Sequence, residues 1–369
     1  MEQSNSLPQK YTYTQCSKEA ADNLGNTPLL SGLFEGSFGS EDCVRSLIEY
    51  DANINHFNNL GQTPLYAAIY QRNKVIARIL LEEGADVKYR NPVDDSSLLH
   101  TVCAVGLSNI IELVLKHIDI NDRNAQDMTP LLYMILNFKA HKTTMDLVII
   151  IFRALISAGA DLSIPDVNGN TLLHLIAEQN LGELLELLTN EFQQQLDLVD
   201  VDKTNLEGVS CLDLCFTKME LAFRNSDSTT FESYREKIKK LVDIGANINR
   251  KDETGQTLLH RAILSENSAN TVKLLSELVA HPFIPDDTGK TAIHYAVKAP
   301  AETTAFFFGS RAVQDIIKVW WKGHRRQLFI SFCIFLVSLA IYTAMCFYQT
   351  SRNRMSFSHT NLSLQSMNF

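Results

Sequence analysis

The chain has 369 residues, 45% of them hydrophobic and 20% charged, the composition of a folded protein and more chain than one small domain needs. No Asp or Glu follows Asp315, whereas Lys318, Lys322, Arg325, Arg326, Arg352 and Arg354 do, so residues 1–317 hold 27 Lys/Arg against 42 Asp/Glu and the formal charge of −9 hides an acidic body with a basic end. An acidic surface does not displace counterions from phosphate, which argues against nucleic acid as partner, and seven cysteines without a Cys-x-x-Cys pair suit a reduced compartment better than a disulfide framework.

Residues 1–22 are polar and lack a charged start followed by an apolar run, so they read as an N-terminal tail and not as a secretory signal. Residues 23–300 repeat one unit, clearest from Gly61 to Val87. There Thr63 is a natural helix N-cap, Pro64 suits the first helical position, and Leu65, Ala68 and Ile69 give a short apolar face. Val75, Ile76, Ile79 and Leu80 recur at helical spacing up to Gly84, which can take the left-handed conformation that ends a helix. The capping hydroxyl recurs at Thr27, Thr63, Ser97, Thr129, Thr171, Ser210, Thr257 and Thr291, at intervals of 36, 34, 32, 42, 39, 47 and 34 residues. Leu or Ile follows two residues after each anchor, and Gly stands two residues before six of the eight. A short helix pair cannot bury its apolar face alone, so copies must stack.

The chain resembles the ankyrin-repeat family, whose unit of roughly 33 residues carries a Thr-Pro-Leu-His-x-Ala signature. The matches are Thr63-Pro-Leu-Tyr-Ala-Ala68, Thr257-Leu-Leu-His-Arg-Ala262 and Thr291-Ala-Ile-His-Tyr-Ala296, with weaker forms at Ser97–His100 and Thr171–His174 and Gly-Ala-Asp or Gly-Ala-Asn endings at Gly84, Gly159 and Gly245. The resemblance implies an all-α solenoid of seven to eight helix-turn-helix repeats with extended turns. It also implies that His100, His174, His260 and His294 hydrogen-bond within and between repeats and have no catalytic part. The array is irregular at 129–257. Repeat three ends on Lys116-His117-Ile118-Asp119 in place of Gly-Ala-Asp, and repeat four carries extra residues at Phe138–Thr144 before the apolar run Leu147–Phe152, which reads as a buried helix. Glu191–Leu196 reads as a lengthening of the repeat-five helix, and the polar stretch Arg224–Thr230 as a loop within repeat six.

After an incomplete eighth repeat, residues 301–327 are expected to form a capping and juxtamembrane amphipathic helix, with Val313, Ile316, Ile317 and Trp320 on one side. Leu328 to Tyr348 is 21 residues without charge, Pro or Gly. As a helix it would be roughly 31 Å long, matching the hydrocarbon thickness of a bilayer. Trp320, Trp321 and Tyr348 suit the interfaces, and the Lys/Arg excess before the segment places the array on the cytosolic side. A transmembrane anchor at 328–348 with a short polar tail at 349–369 is the expectation.

No phosphate-binding loop, nucleophile elbow or zinc-protease pattern occurs, and Cys211 and Cys215, four apart, have no neighbouring ligand pair, so neither catalysis, metal, cofactor nor small-molecule substrate is indicated. In ankyrin arrays the turn tips and the exposed side of the first helices bind protein partners. By register the corresponding positions are Phe57, Asn59, Leu60, Gln62, Tyr70 and Gln71 in repeat two and Val93 and Asp94 in repeat three, then Arg123, Gln126, Met128, Asn168, Glu178, Gln179 and Glu253. Phe57 and Tyr70 stand out as aromatics. The expected function is a membrane-tethered scaffold or adaptor for a protein partner, similar in layout to ankyrin effectors that intracellular bacteria deliver into host cells. The alternative is a regulatory ankyrin module of a membrane enzyme or channel complex.

Overall fold

The structure is a computed structural model that describes residues 20–34, 41–265, 268–300, 303–304, 307–308 and 313–314. The anchor expected at Leu328–Tyr348, the tail after it, residues 1–19 of the N-terminal tail and most of 301–327 lie outside the described residues. Among the described residues no helix is long and apolar enough to cross a membrane. The chain divides into two compact bodies, Met1–Glu207 and Gly208–Phe369.

In the N-terminal body the first helices of repeats one to five are α1 (Pro28–Phe34), α3 (Pro64–Tyr70), α5 (Leu98–Val105), α7 (Pro130–Asn137) and α9 (Leu172–Glu178), each packed on the next. The second helices are α2 (Glu41–Glu49), α4 (Lys74–Glu82), α6 (Ser108–Leu115), α8 (Met145–Ser157) and α10 (Gly182–Glu191), and α2, α4, α6 and α8 pack in the same succession. This order follows from the local signals. Thr63 and Thr129 accept from the N–H groups of Tyr66 and Leu132, with Pro64 and Pro130 at the first helical position. Leu65, Ala68, Ile69, Ile76, Ile79 and Leu80 are buried between the two rows, whereas Val75 is exposed. Gly84 and Gly159 take φ of +87° and +94° just beyond their helices.

One expectation fails here and a second, the buried second helix of repeat four, holds on one face only. Phe192, at φ −126° and ψ 33°, breaks the helix after Glu191, so Gln193–Leu196 is a separate short helix, α11, and not an extension of α10. The run Leu147–Phe152 is not buried throughout. Val148, Ile151 and Phe152 face the core and Ile150 faces out, as one-sided packing of a helix requires.

In the C-terminal body repeat six is built from α12 (Cys211–Arg224) and α13 (Ser228–Asp243), repeat seven from α14 (Leu258–Leu264) and α15 (Ser268–Glu277), and the eighth begins with α16 (Ala292–Ala296). The expected loop at Arg224–Thr230 is not a loop. Its residues extend both helices, leaving a turn at Asn225–Ser226, and the Asp227 side chain caps α13 by accepting from the Thr230 N–H at 3.0 Å. The paired helices of 14 and 16 residues bury Cys215, Phe216, Met219, Tyr234, Ile238 and Leu241. Burial pushes the Cys215 thiol up to about 12, so it is an inert packing group. Beyond α16, Phe307 and Val313 are buried and the Thr304 hydroxyl donates to the Ala296 carbonyl at 2.9 Å, which ties Thr304 to α16.

Candidate interaction surface

The turn that precedes most of the first helices is fixed by one side chain. Asn58 Oδ1 accepts from the N–H groups of Leu60 and Gln62, Asn124 Oδ1 from Gln126 and Met128, Asp166 Oδ1 from Asn168 and Asn170, and Asp286 Oδ1 from Thr288 and Lys290. An Asn or Asp that accepts twice from its own loop replaces a backbone turn with a rigid one. Neighbouring turns are then tied tip to tip. In the N-terminal body the N–H of Asn59 donates to the Leu24 carbonyl, that of Ala125 to Asp94, that of Val167 to Gln126 and that of Leu206 to Asn168, each at 2.9 Å. In the C-terminal body Asp287 donates to Thr254 at 3.4 Å.

Behind the tips stand the histidines. His100 Nδ1 accepts from the Ser97 N–H at 3.2 Å and lies 2.8 Å from its hydroxyl, while Nε2 sits 2.8 Å from the Met128 carbonyl of the next repeat. A carbonyl only accepts, so Nε2 carries the proton and Nδ1 is the acceptor. His260 repeats this with Thr257 and the Lys290 carbonyl. His174 and His294 form the same box with Thr171 and Thr291, and His294 is exposed. In repeat six Asp213 takes the histidine position. It closes the box with Ser210 and pairs with Arg250 at 2.6 Å and Arg261 at 3.3 Å.

The positions singled out by register divide into two groups. Gln62 accepts from Asn58 Nδ2, Asn59 donates from its side chain to the Asn23 carbonyl, Gln179 accepts from Lys139, Arg123 pairs with Asp127, and Asp94 accepts from Ser96 and from the Tyr133 hydroxyl. Met128 serves through its carbonyl and is half-buried, as is Gln126. These groups hold the tips in place. Phe57 (69% exposed), Leu60, Tyr70 (47%), Gln71, Val93 (89%), Asn168, Glu178 and Glu253 present exposed side chains. Two exposed apolar tips that register alone did not single out, Leu24 and Leu206 (80%), extend the set. Along the N-terminal body the tips thus carry Leu24, Leu60, Val93, Ala125, Val167 and Leu206, whereas those of the C-terminal body carry Glu253, Thr254, Asp287 and Thr288.

Next to the tip row lies a tyrosine patch. The Tyr66 ring is 5.9 Å from that of Tyr70 and 5.1 Å from that of Tyr89, and the edge of His141 meets Tyr70 at 5.8 Å. Burial, then the nearby Tyr89, Tyr70, Tyr133 and Asp94, push the Tyr66 phenol far above its ordinary range.

A family model described as ankyrin repeats in three copies matches residues 10–91 and 229–309. The chain is 27% identical over 282 residues to an ankyrin repeat protein of Acanthamoeba polyphaga mimivirus, covering 63% of this chain and 35% of that protein. It is 30% identical over 210 residues to the ANK repeat-containing protein nipk-1 of Caenorhabditis elegans, covering 52% and 34%, and 28% identical over 231 residues to the NF-kappa-B p105 subunit of Gallus gallus, covering 58% and 21%. The chain thus spans about a third or less of the length of these relatives. The crystal structure of the human ASB11 ankyrin repeat domain matches with a TM-score of 0.44 at 24% identity, over 54% of this chain and 81% of that one. Residues 10–91 and 229–309 thus match ankyrin repeats, and the capping anchors recur from Thr27 to Thr291.

Proposed function

We propose that the chain is a protein-recognition module that binds its partner along the turn tips of the N-terminal body. The observation that carries this reading is the tip row itself. Leu24, Leu60, Val93, Ala125, Val167 and Leu206 are exposed apolar or small side chains on successive turns whose backbones are hydrogen-bonded in two runs, the Leu24 turn to the Leu60 turn, and the Val93 turn through those of Ala125 and Val167 to that of Leu206. Exposed aliphatic side chains are ordinary when scattered, but a row held on a rigid ladder is pre-organised for contact and loses little conformational entropy on binding. Phe57 and Tyr70 add aromatic area on the same repeat.

The membrane-tethered form of this reading rests on the length and flanks of Leu328–Tyr348. It puts the repeats on the cytosolic side, and delivery into a host cell is its narrower version. Two experiments test the two parts. Cross-linking mass spectrometry on cells expressing the full chain should identify a partner joined to the tip row, lost in a Leu60→Ser, Val93→Ser, Val167→Ser variant that keeps the wild-type melting curve. An unchanged set of cross-linked partners removes the tip-row reading. Alkaline extraction of membranes should retain the full chain and release one ending at Gln327, and release of both removes the tether.

A further inference from the structure

The tyrosine patch has an unmet bonding capacity that the ankyrin scaffold does not use. Tyr66 and Tyr70 lie one turn apart on α3, so their rings stack at 5.9 Å with planes 22° apart, and Tyr70 leaves a face open to solvent. Tyr89 joins from the loop after α4, and Tyr133, on α7, donates its hydroxyl to Asp94 Oδ2 at 3.2 Å. Burial, then Asp94, also push up the Tyr89 and Tyr133 phenols. The Tyr89 hydroxyl oxygen is buried and has no hydrogen-bond partner among the described residues. Asp94 accepts from Ser96 and Tyr133 and has no ion-pair partner among the described residues.

The cations nearby are committed elsewhere. Arg90 pairs with Asp95 and Asp122 and donates to the carbonyls of Asp95 and Arg123. Arg72 donates to the His141 carbonyl and the Thr143 hydroxyl. Residues 1–207 hold 14 Lys/Arg against 28 Asp/Glu, while residues 208–369 hold 19 against 14, so the charge that attracts a cation is concentrated in the body that carries the patch.

We propose that the patch of Tyr66, Tyr70, Tyr89, Tyr133 and Asp94 takes an arginine side chain from a basic segment of the protein partner. The inference rests on the recognition reading above and names the partner's chemistry. A guanidinium is planar and stacks on an aromatic face, and its five N–H donors reach several acceptors at once. Here the accessible acceptor is the half-buried Asp94 carboxylate, and the buried Tyr89 oxygen gains a partner only if the rings over it shift to admit the guanidinium. A lysine ammonium offers the charge without the plane, and an uncharged citrulline the plane without the charge.

The test is a titration of the full chain in detergent micelles with fluorescein-labelled octapeptides carrying three arginines, three lysines or three citrullines in the same Gly/Ser background. The arginine peptide is expected to bind about tenfold more tightly than the lysine peptide and to show no saturable binding as citrulline. Tyr70→Ala and Asp94→Asn should each weaken it about tenfold, whereas Tyr70→Phe, which keeps the ring, should not. Tyr89→Phe separates binding from folding: removing an unsatisfied buried hydroxyl raises the melting temperature, yet weakens the arginine peptide. Equal binding of the arginine and lysine peptides, or an Asp94→Asn loss no greater than that of Glu82→Gln at the end of α4, overturns the proposal in favour of a diffuse acidic surface. A cellular partner that the tip-row variant loses and Asp94→Asn retains overturns this inference alone and leaves the recognition reading standing.

Discussion

The imidazole of His100 meets the ring of Tyr133 edge to face, with centroids 5.5 Å apart and planes at 86°. His260 and Tyr295 repeat the pair at 5.7 Å and 80° in the C-terminal body. In both, a histidine of one repeat touches a tyrosine of the next while its Nε2 proton goes to the next repeat's carbonyl, so each imidazole bonds its own helix start, the following turn and the following helix. His100→Ala breaks all three contacts. It leaves the Ser97 N–H unmet, at about 1–3 kcal/mol for a buried group, and takes one of two donors from the Met128 carbonyl, which keeps the Asn124 N–H at 3.1 Å. His294, exposed and bonded only within its own box among the described residues, should be far less sensitive. Urea unfolding followed by circular dichroism checks the order, and equal losses at the two positions would deny the inter-repeat role.

His100 and His260, together with His141, set a pH dependence. Burial depresses the His100, His260 and His141 imidazoles below the ordinary value of 6.5, so as the pH falls the unfolded chain takes up protons before the folded one. The stability they confer is complete above pH 6.5 and is lost progressively below it. Protonation also places an Nδ1–H against the Ser97 and Thr257 N–H groups that Nδ1 accepts from when neutral. The unfolding midpoint is expected to fall between pH 7.5 and pH 5, and His100→Gln to flatten that fall. A midpoint constant across the range would show that these imidazoles titrate as they do in the unfolded chain.

Gly169 has φ of +79°, and a Cβ there would lie 3.0 Å from the backbone nitrogen of Leu206 and 3.2 Å from the Cα of Asn205. The neighbouring turn of the ladder occupies that space. Gly84 has φ of +87°, and a Cβ there would meet nothing within 4 Å, so only the backbone conformation resists a side chain. Gly84→Ala is expected to cost about 1 kcal/mol, the penalty of the left-handed conformation, and Gly169→Ala clearly more because the two turns must also move apart. Thermal unfolding of the two variants distinguishes them, and equal shifts would mean that the tip ladder yields without cost.

These relationships show which parts of the chain were legible beforehand. The helix starts were, because Thr63-Pro64, Thr129-Pro130 and the glycines at +72° to +79° act within a few residues of themselves. The long helix pair of repeat six was not. Arg224–Thr230 is polar because it lies on exposed helix ends, and its only local signal was the Asp227 cap in front of Thr229 and Thr230. The tyrosine patch was legible least of all. Its members come from positions 66, 70, 89 and 133, in three repeats, and only the stacking of those repeats brings their rings together.

Asp213 replaces the box histidine of repeat six with a charge, and the surroundings changed with it. Its Oδ2 accepts from the Ser210 N–H at 3.1 Å and hydroxyl at 2.7 Å and from Arg250 Nη1 at 2.6 Å, while Oδ1 faces Arg261 at 3.3 Å. Arg250 Nη2 reaches the Gly208 carbonyl at 2.6 Å, tying repeat seven back to the turn that starts repeat six, as His100 and His260 tie their repeats forward. Removing the carboxylate therefore strands two partly buried guanidiniums as well as the Ser210 N–H. Asp213→Ala is expected to destabilise the C-terminal body by about 2–4 kcal/mol, short of the full loss for a buried pair because both arginines keep some contact with water. Asp213→His restores the signature of the neighbouring repeats and the bond to Ser210, yet sets an imidazole between two cations, so it should recover little of the loss. Asp213→Ala with Arg250→Met removes the stranded charge and should recover more. If the histidine variant is the more stable of the two, the box governs this position and the arginines are incidental to it.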